Sequence, residues 1–251
     1  MRTNLIKPKI KESVKSKANN VDMIIAFDTT GSMFKFINDV KNHITQLIPQ
    51  LFNDNPNLRL GIVAFGDYCD MKSKKDFGNA YQKIDLTDNQ ESLIKFVTKA
   101  KDTGGGDADE FYELVIKKIV EETSWREDSI KSVLLIADCW PHPLGYSYYP
   151  FIDNNQIDWR KEAKKAADKG IKFDTTTCGS ASWFKELSDI TDGICIPFKK
   201  SGNTSEVIKA SNLAKGGAAT MDAFYKSMED NKDNLELYAV YTAYSKEVIT
   251  K

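Results

Sequence analysis

Short apolar runs alternate with longer amphipathic segments along most of this 251-residue chain. Runs that are apolar at nearly every position are typical of parallel strands buried on both faces of a sheet. The pattern predicts strands at 21–27, 58–65, 131–137, 171–176 and 193–197. Between them, apolar residues recur at helical spacing, which predicts helices near 33–51, 107–122, 158–169 and 204–215.

This alternation of strands and helices indicates βαβ units joined by right-handed crossovers. The expected fold class is therefore α/β, a doubly wound and mostly parallel central sheet flanked by helices on both faces. We expect residues 1–20 to form a basic, flexible tail and residues 21–215 to form one domain. Residues 216–251 are expected to form a closing helix or an arm that packs on the domain.

Composition excludes several classes of function. Hydrophobic residues make up 41% and charged residues 28%, with a net charge of −1, so no overall field draws the chain to nucleic acid. No apolar stretch is long enough to be a transmembrane segment. The chain has four widely spaced cysteines without a CxxC pair, which favours reduced thiols and a cytoplasmic location.

Acidic residues follow the predicted strands at the point where each strand ends. Asp28 ends the first strand, Asp67 follows the second, and Asp138 follows the strand at 131–137. Thr103 comes just before three consecutive glycines, which must form a loop. Because the carboxyl ends of parallel strands meet at one edge of the sheet, we expect these side chains to converge there.

The stretch "DTTGS" adds hydroxyl groups to this edge. Thr30 and Ser32 lie at alternate positions in the turn that leaves the first strand, so both hydroxyls can face one point. Oxygen-only ligands suit a hard divalent cation such as Mg²⁺, although Mn²⁺ or Ca²⁺ also fits such a set. The residues themselves also allow a simpler interpretation, in which Asp, Ser and Thr only cap the helix that follows.

"DTTGS" resembles the DxSxS-type motif of the von Willebrand factor type A domain. The motifs "FDTTGSM", "TGGGDADE" and "LLIADCWPHPLG" are similar to the type A domains attached to alpha-type protein kinases. The resemblance implies a Rossmann-like type A domain with a metal-ion-dependent adhesion site. The metal ligands that it implies are Asp28, Thr30, Ser32, Thr103 and Asp138.

The function implied by this resemblance is metal-dependent protein binding without enzymatic turnover. The partner is expected to be another protein, which presents a Glu or Asp carboxylate to the metal as part of adhesion or scaffolding. The resemblance also implies a switch in which a change at the metal pulls the last helix.

Two other functions remain open from the residues alone. "DTTGS" also resembles the phosphorylation motif of P-type pumps, which would make Asp28 a nucleophile of a phosphatase-like enzyme. Against this, the neighbouring residues are Thr29 and Thr30, where such enzymes carry Lys or a second Asp. The third alternative is a structural subunit with no metal role.

Residues in the loops near this edge are candidates for contact with the partner. They are Asp67, His142, Tyr146 and Tyr148. Loops at the carboxyl edge carry contact residues, and Tyr is favoured in interfaces. The simpler expectation is that His142, between Pro141 and Pro143, only shapes its turn. Asp107, Asp109 and Glu110 are expected to begin a helix, where they complement its dipole.

Overall fold

The computed structural model describes residues 18–179, 182–199 and 201–249. The expected N-terminal tail lies outside the described residues, except for its last three positions. The strands are β1 Val21–Asp28, β2 Leu58–Phe65, β3 Tyr81–Thr87, β4 Asp109–Glu110, β5 Ile130–Ala137, β6 Trp140–Pro141, β7 Ile171–Thr177 and β8 Cys195–Pro197. The helices are α1 Phe34–Asp54, α2 Gln90–Lys99, α3 Tyr112–Glu122, α4 Trp159–Asp168, α5 Trp183–Ile190, α6 Thr204–Lys215, α7 Met221–Asp230 and α8 Leu235–Ile249.

Six of these strands form one sheet in the order β3-β2-β1-β5-β7-β8. Every pairing in it is parallel except that of β3, which runs antiparallel to β2 at the edge. β4 and β6 form a separate two-residue parallel pair. The predicted fold class, a mostly parallel sheet between helices, is confirmed.

Side chains of β1 alternate between two buried layers, as the pleat of a strand requires. Met23, Ile25 and Phe27 pack in the layer that contains the apolar faces of α1, α2, α6, α7 and α8. Ile24 and Ala26 pack in the other layer, with residues of α3, α4 and α5. Because both faces are covered, the strand is apolar at nearly every position until it reaches Asp28.

The chain direction places the end of β1 at a switch point. β1 is followed in the chain by β2 on one side, while β5 pairs with its other side. The pairing with β2 extends to Asp28 opposite Phe65, and the pairing with β5 ends with Phe27 opposite Ile136. Asp138 lies only two residues beyond Ile136, so both carboxylates emerge at the same edge. Ligands of open α/β sheets bind at such a crevice.

The sequence pattern missed five elements and misplaced one helix start. The missed elements are β3, α2, α5 and the two-residue strands β4 and β6. β3 is hard to recognise because its residues are mostly half-buried and polar residues interrupt its apolar ones. The helix expected from residue 107 begins instead at Tyr112. Asp109 and Glu110 pair with Trp140 and Pro141 as strands, so their backbone is extended and cannot join the helix.

The C-terminal helices pack on the sheet through a buried polar cluster around Asp174 of β7. Lys215 Nζ of α6 lies 2.9 Å from Asp174 Oδ2, and both side chains are buried. The Tyr244 hydroxyl of α8 donates to the same oxygen at 3.2 Å. The other oxygen, Asp174 Oδ1, accepts from the amide of Ile194 at 3.0 Å. No helix in the described part of the chain has both the length and the apolar character needed to cross a membrane.

We predict that Lys215→Met lowers the free energy of unfolding by about 3–5 kcal/mol, because it leaves the buried Asp174 carboxylate without its cation. Urea unfolding followed by circular dichroism measures the change. The control is Lys185→Met, which removes an exposed pair with Asp189 and is expected to cost about 1 kcal/mol or less. Equal losses in the two variants would contradict the prediction.

Candidate functional site

Asp28 is fully buried at the carboxyl end of β1, and both of its carboxylate oxygens accept hydrogen bonds. Oδ1 accepts from the backbone N–H of Thr30 at 2.8 Å and from the Thr30 hydroxyl at 2.7 Å. Oδ2 accepts from the hydroxyl of Tyr112 at 2.8 Å. Burial raises the pKa of Asp28, and the hydrogen bonds from Thr30 and Tyr112 oppose that rise without cancelling it.

Thr103 is held at the same edge by hydrogen bonds to Thr29. The Thr103 amide donates to the Thr29 carbonyl at 3.0 Å, and the two hydroxyl oxygens lie 2.8 Å apart. The Thr29 hydroxyl donates to the carbonyl of Phe65 at 2.7 Å, so the Thr103 hydroxyl must be the donor to Thr29. The hydroxyl protons of Thr30 and Thr103 are thus both used inside the protein, which leaves their oxygen lone pairs for a cation.

Asp138 and Ser32 complete the predicted ligand set. Asp138 is half-buried after β5 and accepts from the thiol of Cys139 at 3.0 Å, and its charge contributes to the raised pKa of Asp28. Tyr112 connects the two strand ends, because its hydroxyl donates to Asp28 and accepts from the Cys139 amide at 3.3 Å. Ser32 lies exposed in the turn Gly31–Met33, two residues beyond Thr30, without a hydrogen bond to the other four residues.

Glu110 is a residue of this edge that the sequence reasoning missed. Its side chain is buried, and Oε2 has no hydrogen-bond partner among the described residues. Burial and the charges of Asp28, Asp67 and Asp70 raise the pKa of Glu110 well above its usual range. Oε1 lies so close to Gly105 that a Cβ there would come within 2.9 Å of it. The one feature of the sequence that could have identified Glu110 is its position as an acidic residue directly before the apolar run of α3.

The glycine loop at 104–106 is held by Asp70, which the sequence analysis did not single out either. Asp70 Oδ1 accepts from the Gly104 amide at 2.8 Å. Oδ2 accepts from the Gly105 amide at 3.2 Å and from the Asp67 amide at 3.1 Å. Gly105 has a φ of +65°, a conformation that favours glycine. Asp70 therefore fixes the loop that carries Thr103 against the loop that follows β2.

The four predicted partner-contact residues lie beside this edge, but mostly beneath its surface. Asp67 and His142 are buried, with Asp67 Oδ1 and His142 Nε2 2.7 Å apart. The ring of Tyr146 stacks on the imidazole with centroids 3.7 Å apart. Tyr148 is half-buried and stacks on Phe151. His142 thus makes a buried contact with Asp67, which the sequence analysis did not predict.

The most exposed large apolar side chains of this loop region are other residues. They are Trp140, Leu144 and Tyr149, of which Tyr149 is 90% exposed. A cavity of about 500 Å³ opens beside Trp140 and Leu144 and is also lined by Trp159 and Trp183. The loop after β5 therefore exposes apolar surface, whereas its imidazole, that of His142, is buried.

The chemistry of this edge fits a divalent cation. Asp28, Asp70, Glu110 and Asp138 converge on it, and within the described ranges none of them forms a salt bridge with Lys, Arg or His. Buried carboxylates are normally paired with a cationic side chain or coordinate a metal. Neutral hydroxyl oxygens with spare lone pairs and nearby carboxylates form the ligand set that Mg²⁺ prefers.

Comparisons with known proteins agree with the fold. The putative ariadne-like RING finger protein R811 of Acanthamoeba polyphaga mimivirus is 28% identical over 190 residues, 69% of this chain and 18% of that protein. The chain thus spans less than a fifth of this relative's length.

Two solved structures are similar at the level of the fold. The conserved hypothetical protein BatB from Bacteroides thetaiotaomicron has a TM-score of 0.51 at 17% identity, covering 78% of this chain and 98% of that one. A von Willebrand factor type A structure from Catenulispora acidiphila has a TM-score of 0.54 at 12% identity, covering 79% and 43%. The family model of the von Willebrand factor type A domain matches residues 22–215, from β1 to the end of α6. The chain belongs to the von Willebrand factor type A domain family.

Proposed function

We propose that this domain is a Mg²⁺-dependent protein-binding module of the adhesion or scaffold type. Type A domains commonly mediate protein interactions and often bind a divalent metal. The proposed ligands are Asp28, Thr30, Ser32, Thr103 and Asp138, with Mn²⁺ or Ca²⁺ as alternative ions. The observation that carries the proposal is that Thr103 and Asp138, far away in the chain, lie at the same edge as Asp28 and Thr30.

Each group has a distinct role in this proposal. Thr30, Thr103 and Ser32 supply neutral oxygens, while Asp28 and Asp138 balance the charge by direct or water-mediated contacts. When bound, the cation supplies a Lewis-acidic position that accepts a carboxylate oxygen. Tyr112 and Asp70 hold the strand ends and the glycine loop in place, so the ligand oxygens are positioned before binding.

The charge of the edge explains why partner binding depends on the metal. A partner's Glu or Asp side chain approaches a surface that already carries Asp28 and Asp138, and like charges repel it. A divalent cation reverses the sign of the local field. The exposed Ser32 and the exposed apolar side chains of the loop after β5, Trp140, Leu144 and Tyr149, are the proposed contacts for the partner. In this proposal the loop is held in shape for the partner by the four predicted contact residues, Asp67, His142, Tyr146 and Tyr148.

The geometry argues against a phosphatase-like enzyme. An aspartate nucleophile needs an accessible oxygen, but Asp28 is fully buried and both of its oxygens accept hydrogen bonds. No lysine or histidine of the described residues forms an ion pair with it. We therefore propose binding without turnover.

We propose a cytoplasmic location for this module. The four cysteines are free, which is typical of the cytoplasm. Residues 21–215 form the binding domain, and α7 and α8 beyond it pack on the α6 side of the sheet. The similarity of its motifs to kinase-associated type A domains stays a prediction.

We predict that Ser32→Ala weakens Mg²⁺ binding about tenfold or more, because it removes one ligand oxygen from an exposed turn without disturbing the core. Isothermal titration calorimetry measures the affinity. The control is Thr242→Ala, which removes an exposed hydroxyl from α8 and should leave binding unchanged. Unchanged Mg²⁺ affinity in Ser32→Ala would eliminate the proposed ligand set.

The chemistry of the partner is tested with a displayed peptide library, which is bound to the domain in Mg²⁺ and eluted with EDTA. The eluted peptides should be enriched in Glu and Asp.

We also predict that Asp70→Ala weakens Mg²⁺ binding, although Asp70 is not a proposed ligand. The change removes the acceptor of the Gly104, Gly105 and Asp67 amides, so the loop that carries Thr103 loosens. Amide hydrogen exchange at residues 104–105 should become faster, and the free energy of unfolding should fall by about 1–3 kcal/mol.

The matched control for this variant is Asp76→Ala, which removes a similar carboxylate–glycine hydrogen bond to Gly78 in an exposed turn. It should change neither Mg²⁺ affinity nor exchange at residues 104–105. If the two variants bind Mg²⁺ equally well, the glycine loop does not position a ligand.

A further inference from the structure

A second group of potential ligand atoms lies beside the proposed Mg²⁺ edge. Asp67, Asp107 and His142 each offer one ligand atom, and the three atoms lie within 4.8 Å of one another. The residues come from separate loops, after β2, before β4 and after β6. Unlike the Mg²⁺ edge, this group includes an imidazole nitrogen.

The buried members of the group have unused binding capacity. Asp67 is 0% exposed and His142 1% exposed. One carboxylate oxygen and one ring nitrogen face each other, but Asp67 Oδ2 and His142 Nδ1 have no hydrogen-bond partner among the described residues. Buried polar atoms are rarely left in this state, so these two side chains have binding capacity that the described residues do not use.

The surroundings of the group are also rich in carboxyl groups. Asp70, Asp109, Glu110 and Glu113 lie in the loops and helix around the group. Glu113 is itself buried and is held by the Tyr68 hydroxyl at 2.7 Å and by Asn155 at 3.1 Å. Within the described ranges, His142 is the one basic side chain that forms a salt bridge with any of these acids or with Asp67 and Asp107.

Tyr146 positions two of the three residues. Its ring stacks on the imidazole of His142, with an angle of 15° between the planes, and its hydroxyl donates to Asp107 Oδ2 at 3.0 Å. Asp107 is exposed, so it provides the route by which an ion enters from solvent. Metal-binding side chains are usually oriented by such neighbouring contacts.

We propose that Asp67, Asp107 and His142 form a second divalent-cation site that selects Zn²⁺ over Mg²⁺. Two carboxylates and one imidazole suit zinc, whereas Mg²⁺ prefers oxygen ligands alone. Zinc–ligand bonds of about 2.0–2.2 Å require ligand atoms roughly 3.4 Å apart in a tetrahedral site. Rotation of the exposed Asp107 brings its oxygen closer, and the facing atoms of Asp67 and His142, now 2.7 Å apart, separate as the cation replaces the proton between them. Water takes the fourth position, and the proton held between His142 and Asp67 is released to solvent.

The first test is calorimetric titration with Zn²⁺ in excess Mg²⁺, which fills the oxygen-only edge. The wild-type domain should bind one Zn²⁺ at this site, and Asp107→Asn should weaken that binding tenfold or more. Asp153→Asn, which alters an exposed carboxylate paired with Lys74, should bind like wild type. Equal Zn²⁺ affinity in the two variants, or no Zn²⁺ binding by wild type, would overturn the proposal.

Cys69 is a competing ligand, because its sulfur would lie 3.0 Å from a Cβ at Gly106, the residue before Asp107. Co²⁺ can replace Zn²⁺ and reports thiolate ligation through its absorption spectrum. We expect no thiolate band, and we expect Cys69→Ser to bind as wild type does; a thiolate band that disappears in Cys69→Ser would overturn the assignment to His142. Ser32→Ala should retain the Zn²⁺ site, so the outcome here is independent of the Mg²⁺ proposal.

Discussion

The central constraint in this domain is the burial of carboxylates at the carboxyl edge of a parallel sheet without cationic side chains. β1 shows the contrast within one strand. Asp22, near its amino end, is fully buried but pairs with Arg59 at 2.7 Å and Arg126 at 2.8 Å. Burial alone would raise the pKa of Asp22, but the hydrogen bonds of both arginines lower it. Asp28, six residues further on, has only hydroxyl and amide donors, and its pKa is raised.

The two ends of β1 therefore serve different purposes. At the amino end the protein neutralises a buried charge with its own guanidinium groups, so that end is complete without a ligand. At the carboxyl end it supplies oriented hydrogen bonds but no counter-charge, which is unfavourable unless something else provides the positive charge. A site of this kind is maintained by the surrounding structure, here the bridging hydroxyl of Tyr112 and the amide contacts of Asp70.

The sequence predicts which residues lie at the strand ends, but it does not predict how the surrounding loops pack. The positions of Asp28, Thr30, Thr103 and Asp138 at one edge follow from the parallel topology, which the apolar runs and intervening helices predict. Their role as metal ligands stays a prediction. Glu110 was assigned to a helix start because its extended backbone depends on a pairing with Pro141, 31 positions away in the sequence. No local pattern contains that information.

The buried pair of Asp67 and His142 was missed for the same reason. Its two residues are 75 positions apart, and the direction of each side chain depends on how two loops pack. Helix α5 is a different kind of miss, since Trp183, Phe184 and Leu187 follow helical spacing and could have been recognised. Periodicity thus predicts what lies within an element, while contacts between loops require the folded structure.

The packing of the last helices limits how a change at the metal edge could alter the rest of the domain. The family resemblance implies a switch that pulls the final helix, yet α8 is tied to β7 by the Tyr244 hydroxyl on Asp174, which also holds Lys215. Displacing α8 removes a donor from a buried charged oxygen, a change that costs about 1.5–3 kcal/mol for such a hydrogen bond. The turn Gly31–Met33 combines the exposed Gly31 and Ser32 with a fully buried Met33, and it leads directly into α1. A change at the metal edge that moves α8 must therefore break the cluster around Asp174, whereas a change confined to the exposed residues of this turn leaves that cluster intact.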